Sequence, residues 1–256
     1  MDGLLTAGRR KATRSLDRQV AEVWFCRLER YEAQAGHLAR LLSIDECRRM
    51  ERFAFDRDRK RFLLSHGLLR VILSRYVDED PHQLRFEVSA QGKPHLIGRD
   101  SRPASVQFSL AHSAECAVGG VARGRAIGVD VEAIRRDVEA LALAERFFAP
   151  EEARRLNEAD GESQRSLFYR YWTAKEAYLK ARGVGLSDGL NRFVVRWDSD
   201  GLTARIRTLD GEAVQSQWLV RSLALGCHLA GAVAVEGDDW SPHLLEPPAN
   251  LVVQPQ

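Results

Sequence analysis

Cysteine is scarce in this chain of 256 residues, with four copies at Cys26, Cys47, Cys116 and Cys227. They form no CxxC pair and no histidine stands at zinc spacing from them, which argues against a disulfide framework or a structural zinc site. Long apolar runs are missing as well. The longest, such as Leu229 to Val235, fall far short of the ~20 residues that a spanning helix needs, so no contact with a membrane is expected. The opening stretch MDGLLTAGRRKATRSLDR has no apolar core of the kind that marks a secretory signal, and a cytoplasmic location is the expectation. One-sided charge is lacking too. Lys and Arg number 38 against 36 Asp and Glu, a net +2, too little for general attraction to nucleic acid, and none is expected as a partner.

What is present is the composition of a globular protein, 45% apolar and 29% charged, which excludes disordered, collagen-like and coiled-coil readings. At roughly 150 residues per domain the length suits one large domain or two compact lobes. The charge is unevenly placed. Residues 47–75 hold nine Lys and Arg against three acids, and residues 137–164 hold eight acids against three Arg. The first of these segments is suited to holding anions.

Apolar patterning divides the chain into elements. Strands are expected at Val20–Phe25, Leu84–Val88, Val106–Leu110, Cys116–Val121, Ala126–Val131, Phe193–Trp197, Thr203–Arg207, Gln217–Ser222 and His228–Val235. Helices are expected after the Ser43, Asp45, Glu46 start signal and over Asp56–Tyr76, Asp137–Phe148, Pro150–Asn157 and Glu162–Arg182. Both halves thus read as strand, short helix, long helix, then several strands, offset by roughly a hundred residues. The fold expected is α+β, two similar lobes related by a pseudo-twofold axis, each a small mostly antiparallel sheet packed with a long helix. The lobes span 1–124 and 125–240, with residues 1–18 a candidate for disorder and the Pro-rich 241–256 a loosely packed tail. Two lobes in one chain favour a monomer, with a site between them.

Four motifs carry chemistry. In AIGVDVEAI, strand alternation places Ile127, Val129 and Val131 on one face and Gly128, Asp130 and Glu132 on the other, with the carboxylates about 6.6 Å apart along the strand. Either a cation or basic side chain sits between them, for which oxygen donors favour Mg²⁺ or Mn²⁺, or the strand leaves the sheet at Asp130 and both acids are solvated. In FYRYWTAKEAYLKARG, the residues Leu167, Phe168, Tyr171, Trp172, Ala174, Tyr178 and Leu179 span an arc of about 160°, taken as the buried face. Lys175 falls inside it, among aromatic neighbours, and either snorkels or serves a function. Glu176 and Lys180 lie just beyond its edge, as a surface pair or as part of a site. His112 and Ser113 follow a strand, where a histidine serves structure, phosphate binding or acid–base work. QGKPH, at 91–95, reads as a turn offering Lys93 to solvent or to an anion.

The joint order of basic helix, GKP, FxxAHS, GVDVE and FYRYWTAKEAYLK resembles the 4′-phosphopantetheinyl transferase family, in its monomeric surfactin-synthetase-activating type. The resemblance runs from about Ser43 to Ser187 and includes RFFAPEEA and GVGLS. It implies an enzyme that moves the 4′-phosphopantetheine arm of coenzyme A to a serine of an apo carrier protein, an acidic helical domain, releasing adenosine 3′,5′-bisphosphate. It implies Mg²⁺, with Mn²⁺ as an alternative, held by Asp130, Glu132 and Glu176. It places Arg49, Arg61, Lys93, His112 and Lys180 on the 3′-phosphate, adenine end or pyrophosphate of coenzyme A, with Ser113 beside them. Glu176, Lys180 and His112 are then the expected catalytic residues, with Glu176 as general base, and Trp172 packs the base of the site. The chain departs from the family at Glu46, in place of a lysine, where one contact to the 3′-phosphate is either missing or supplied by Arg48, and at Ala111, in place of a serine. The competing readings are a Mg²⁺-dependent phosphohydrolase and a coenzyme A or carrier-binding module that transfers nothing.

Overall fold

The computed structural model describes residues 13–185, 188–209 and 217–249. The first half opens with β1 (Val20–Arg27), a run rich in apolar and aromatic residues, and passes through a 3-10 segment (Leu28–Gln34) into α1 (Ala35–Ala39). Ser43 then starts α2 (Ile44–Glu51) with a capping box, its hydroxyl accepting from Glu46 N while Glu46 accepts from Ser43 N. α3 (Asp56–Leu73) follows, then the hairpin β2 (Arg85–Val88) and β3 (Pro94–Ile97), and the antiparallel pair β4 (Val106–Ser113) and β5 (Cys116–Arg123). The second half runs β6 (Ile127–Ala133), α4 (Ala140–Phe147), α5 (Pro150–Asn157) and α6 (Gly161–Arg182). Strands β7 (Phe193–Trp197), β8 (Thr203–Thr208), β9 (Trp218–Ser222) and β10 (Leu229–Glu236) complete it, and β11 (Ser241–Leu245) returns to the sheet of the first half. At about 1.5 Å per residue α6 is some 33 Å long. It stops at Gly183, whose φ of 73° is the left-handed conformation that closes a helix without a side-chain penalty.

Connectivity repeats between the halves. In each, the first strand lies beside the last, and the last beside the one before it: β1-β5-β4 in one sheet and β6-β10-β9-β8-β7 in the other, all antiparallel. The hairpin that continues the second sheet as β8-β7 stands apart in the first half as β2-β3. This is the α+β arrangement of two similar halves expected from the patterning. Three apolar clusters hold it. One packs Trp24, Leu64, Leu68 and Phe108 within the first half, and one packs Phe168, Tyr178, Val195 and Val220 within the second. The third joins the halves, with Val23, Phe25 and Val118 facing Ile127, Val129, Val131 and Val233.

Four expectations need correction. Residues 241–245 of the supposed tail form β11, parallel to β1 at the sheet edge, where Pro242 has no ladder hydrogen bond to forfeit. The chain beyond it is tied down by Arg30 on Glu246 and by Tyr31 Oη donating to Pro247 O, both at 2.8 Å. Within the stretch 1–18, residues 13–18 are packed rather than disordered: Leu16 is buried and Arg14 pairs with Glu22 at 2.8 Å. Residues 1–12 and 250–256 lie outside the described residues. QGKPH is a turn only as far as Lys93, because Pro94 begins β3. His112 and Ser113 belong to β4, whose pairing with β5 runs to the last residue. No described helix is long and apolar enough to cross a membrane.

Candidate active site

The site grows from the packing of β6 on α6. β6 alternates as its sequence requires: Ile127, Val129 and Val131 enter the core between the halves, leaving Gly128, Asp130 and Glu132 to the opposite face. A β-carbon at Gly128 would overlap the backbone of Ala177 and Ala181, so glycine is what lets the strand lie directly against α6. One alternation further on, buried Asp130 accepts a hydrogen bond from Lys180 Nζ at 2.7 Å. Glu132 accepts from Ser113 Oγ at 2.9 Å. Glu176 stands one turn of α6 before Lys180.

The serines of β4 hold β6 across the seam between the two sheets. Ser109 Oγ accepts from Val129 N and Ser113 Oγ from Ala133 N, each at 3.1 Å and each four residues apart on its strand. Ser113 therefore fixes the backbone behind Glu132 and its carboxylate together. The residue reading missed this clamp. Its signal was present in the period-2 spacing of Ser109, Ala111 and Ser113, three small side chains on one face of a strand.

Electrostatics in the cluster are unbalanced. Burial pushes the Asp130 carboxyl up to about 7; Lys180 opposes the rise, and neighbouring Glu132 and Glu176 add to it. Burial also raises the Glu176 carboxyl, Lys180 opposing and Glu132 adding. Asp130 Oδ2 and Glu176 Oε1 are both buried without a hydrogen-bond partner. Two orphaned carboxylate oxygens beside a third carboxylate are a donor set suited to a hard divalent cation. Among the described residues, however, no three acidic, histidine or cysteine side chains are grouped closely enough to enclose an ion as they stand. Lys180 lies on Asp130, and Ser113 holds Glu132. The donors fit a cation by chemistry and orphaned atoms, not by a closed cage.

Two cavities flank the cluster. The first, of about 420 Å³, is lined by Arg49, Lys93, His112 and Lys180 over an aromatic wall of Phe53, Phe62, His66 and Phe108. It brings together four of the five residues expected to hold the nucleotide. Desolvation lowers the His112 pKa, with Arg61 and Lys180 adding to the effect. His66, its edge against Phe62 at 3.8 Å between centroids, is pushed down to about 4 by burial. The residue reading passed over it. The second cavity, of about 550 Å³, is lined by Ser113, Glu132, Phe168, Tyr169 and Trp172 with Arg57, Arg61 and Arg135 at its sides. Arg61 is the residue not brought into the first cavity. Its Nε donates to Ala114 O at 2.7 Å and its Nη1 pairs with Asp58 at 3.2 Å. Trp172 lines the second cavity and packs on Phe168.

Two motif lysines have backbone duties. Lys93 lines the first cavity, but its Nζ donates to Ile127 O and Ala181 O, both at 2.9 Å, joining the start of β6 to the end of α6. Burial lowers its pKa to about 8. Lys175 does not snorkel. Its Nζ donates to Leu190 O and Phe193 O at 2.8 Å and pairs with buried Glu152 at 2.7 Å. What the arc did not give was its partner, since Glu152 comes from α5, packed against α6. Nor do Glu176 and Lys180 form a surface pair, because Lys180 turns to Asp130. Arg48, one candidate to replace the missing lysine, is largely exposed and pairs with Asp45 at 3.5 Å.

Comparison with known sequences gives the same picture. Residues 126–235 match the profile of the 4′-phosphopantetheinyl transferase superfamily, and residues 29–122 match that of the 4′-phosphopantetheinyl transferase N-terminal region. A protein of Synechocystis sp. named as a putative 4′-phosphopantetheinyl transferase is 38% identical over 204 residues, 80% of either chain. The 4′-phosphopantetheinyl transferase HetI of Nostoc sp. is 34% identical over 86% of this chain and 89% of its own. One from Bacillus pumilus is 35% identical over 70% of this chain and 74% of its own.

Proposed function

The chain belongs to the 4′-phosphopantetheinyl transferase superfamily, and we propose that its two cavities hold coenzyme A and the serine loop of a carrier protein on either side of Asp130, Glu132 and Glu176. It transfers the 4′-phosphopantetheine arm to a carrier serine. The serine oxygen bonds to the phosphorus that bears the pantetheine, the P–O bond of the pyrophosphate breaks, and adenosine 3′,5′-bisphosphate departs. Such transfer depends on positioning and on neutralising charge in a pocket shielded from water.

The cavity of Arg49, Lys93, His112 and Lys180 suits the nucleotide, with cationic groups for phosphate and aromatic faces for a base. His112 donates a hydrogen bond to a phosphate oxygen, and Lys180 supplies the cation nearest the carboxylates. The cavity of Glu132, Phe168 and Trp172 suits the carrier side, where Arg57, Arg61 and Arg135 steer an acidic helical domain toward an apolar floor. Asp130, Glu132 and Glu176 would hold Mg²⁺, which when bound supplies Lewis-acid stabilisation of the pyrophosphate. Glu176 is the proposed general base. It is the carboxylate of the cluster that neither Lys180 nor Ser113 holds by a hydrogen bond.

The observation that carries this reading is the pair of buried, unpartnered carboxylate oxygens on Asp130 and Glu176, set between the cavity of Arg49 and Lys180 and the cavity of Arg61 and Trp172. The test is mass spectrometry of apo acyl, peptidyl and polyketide carriers after incubation with coenzyme A and Mg²⁺. A gain of one phosphopantetheine group supports transfer. Free phosphopantetheine released without a carrier would indicate a hydrolase, and coenzyme A binding with neither product a binding module.

A further inference from the structure

α2 has no apolar anchor. None of its residues is buried, and Ile44, its only aliphatic side chain besides Met50, is 72% exposed. Yet this helix carries Arg49 into the nucleotide cavity, with its guanidinium 5.5 Å above the ring of Phe62. A surface helix of eight residues has little stability of its own, so something must fix where it sits.

Glu46 is the residue that does so. One carboxylate oxygen, Oε2, accepts from Ser43 N at 2.8 Å, from Arg70 Nε at 2.8 Å and from Arg70 Nη2 at 2.7 Å. Arg70 lies in the last turn of α3 and is 1% exposed. Its remaining nitrogen donates to Pro81 O at 2.8 Å and Leu84 O at 3.1 Å, and its guanidinium packs 5.1 Å from the ring of Phe86. Phe86 in turn packs on Phe108, which lines the same cavity as Arg49. A fully used, buried guanidinium therefore ties the helix start to the core, and Arg49 follows Glu46 on the same side of α2 at a spacing of three.

We propose that Glu46 is a positioning residue for coenzyme A: together with Arg70 it braces α2 so that Arg49 meets an anionic group of the nucleotide. The glutamate is then not a lost phosphate contact but the support of a contact that remains. This inference rests on the assignment of the cavity to coenzyme A.

The two ideas predict opposite results for one substitution. A Glu46→Lys variant adds a cation near the cavity, and if position 46 merely lacked a phosphate ligand the KM for coenzyme A would fall. If Glu46 is a brace, the new lysine repels Arg70 and the KM rises. The experiment is steady-state titration of coenzyme A at saturating apo carrier for wild type, Glu46→Gln, Glu46→Lys and Arg49→Ala, with thermal midpoints measured alongside. Expected is a KM raised about tenfold in all three variants with kcat within about twofold, the mark of lost binding without lost chemistry. Glu46→Gln keeps the side-chain size and carries the test if Glu46→Lys does not fold. A fall in thermal midpoint with KM unchanged makes Glu46 merely structural and overturns the proposal, as does a lower KM in Glu46→Lys. If Arg49→Ala leaves KM unchanged, the assignment of the cavity fails and the brace with it. If Arg49→Ala raises KM while neither Glu46 variant does, only the brace fails.

Discussion

Replacing Lys175 by methionine separates a structural lysine from a catalytic one. The side chain is fully buried, and its ammonium makes three contacts: Leu190 O, Phe193 O and the Glu152 carboxylate. Methionine fills nearly the same volume, so the loss is electrostatic rather than a cavity. Glu152 would keep Ala149 N at 3.0 Å and Val195 N at 2.8 Å but lose its counter-ion. Breaking one side of a buried pair costs about 3–5 kcal/mol, and two carbonyls deprived of their donor add to that. At about 2–4 °C per kcal/mol for a chain of this size, the thermal midpoint should fall by on the order of 10 °C. Below that midpoint the variant should keep kcat within about threefold, because Lys175 touches neither cavity. Pairing it with Glu152→Gln removes the orphaned charge and should recover part of the loss. Scanning calorimetry and the transfer assay on the same samples decide the matter. A midpoint within about 2 °C of wild type, together with a collapse of kcat, would refute the reasoning and put Lys175 on the substrate.

Other consequences follow from the same geometry. Gly128→Ala forces a β-carbon into the α6 backbone and should destabilise the fold by about 3 kcal/mol, read by denaturant unfolding. Ser113→Ala removes both the donor to Glu132 and the acceptor for Ala133 N; Mn²⁺ affinity should weaken about tenfold, as for other groups that orient a ligand. His66 has its pKa pushed down to about 4, below its ordinary value of roughly 6.5. Above pH 6.5 the ring is neutral folded or unfolded, and between there and 4 only the unfolded chain gains a proton, so stability is lost as pH falls through that window. Over about 2.5 pH units the loss approaches roughly 3 kcal/mol, and His66→Phe should flatten it in unfolding measured across pH 4–7. Glu176→Gln should abolish transfer at saturating Mg²⁺ and coenzyme A; near-normal turnover would move the general base elsewhere.

β6 was legible from its clean apolar alternation and α5 from the proline that opens it. The faces of Asp130 and Glu132 follow from alternation alone, since Ile127, Val129 and Val131 leave them no other side. β11 was not legible. It is short, proline-bearing and largely exposed, and pairing at a sheet edge with a strand more than 200 positions earlier leaves no local trace. The motif order pointed to the right family and to four residues of one cavity. It could not separate Arg61 from Arg49, because which cavity a basic side chain enters depends on how α3 meets the β4–β5 turn. Nor could it give Lys175 its partner. Glu152 lies on another helix and reads in sequence as one more acid in an acidic stretch. Gly128 was the missed local signal, since a glycine inside an apolar strand marks a close approach of backbone.

Everything in the mechanism turns on Asp130 and Glu132 from a strand and Glu176 from a helix serving one divalent ion. Electron paramagnetic resonance of Mn²⁺ titrated into the protein with coenzyme A present tests this most directly. The account predicts one tightly bound ion per chain, lost or severely weakened in each of Asp130→Asn, Glu132→Gln and Glu176→Gln while the variants remain folded. Wild-type Mn²⁺ binding in the Glu176 variant would contradict it.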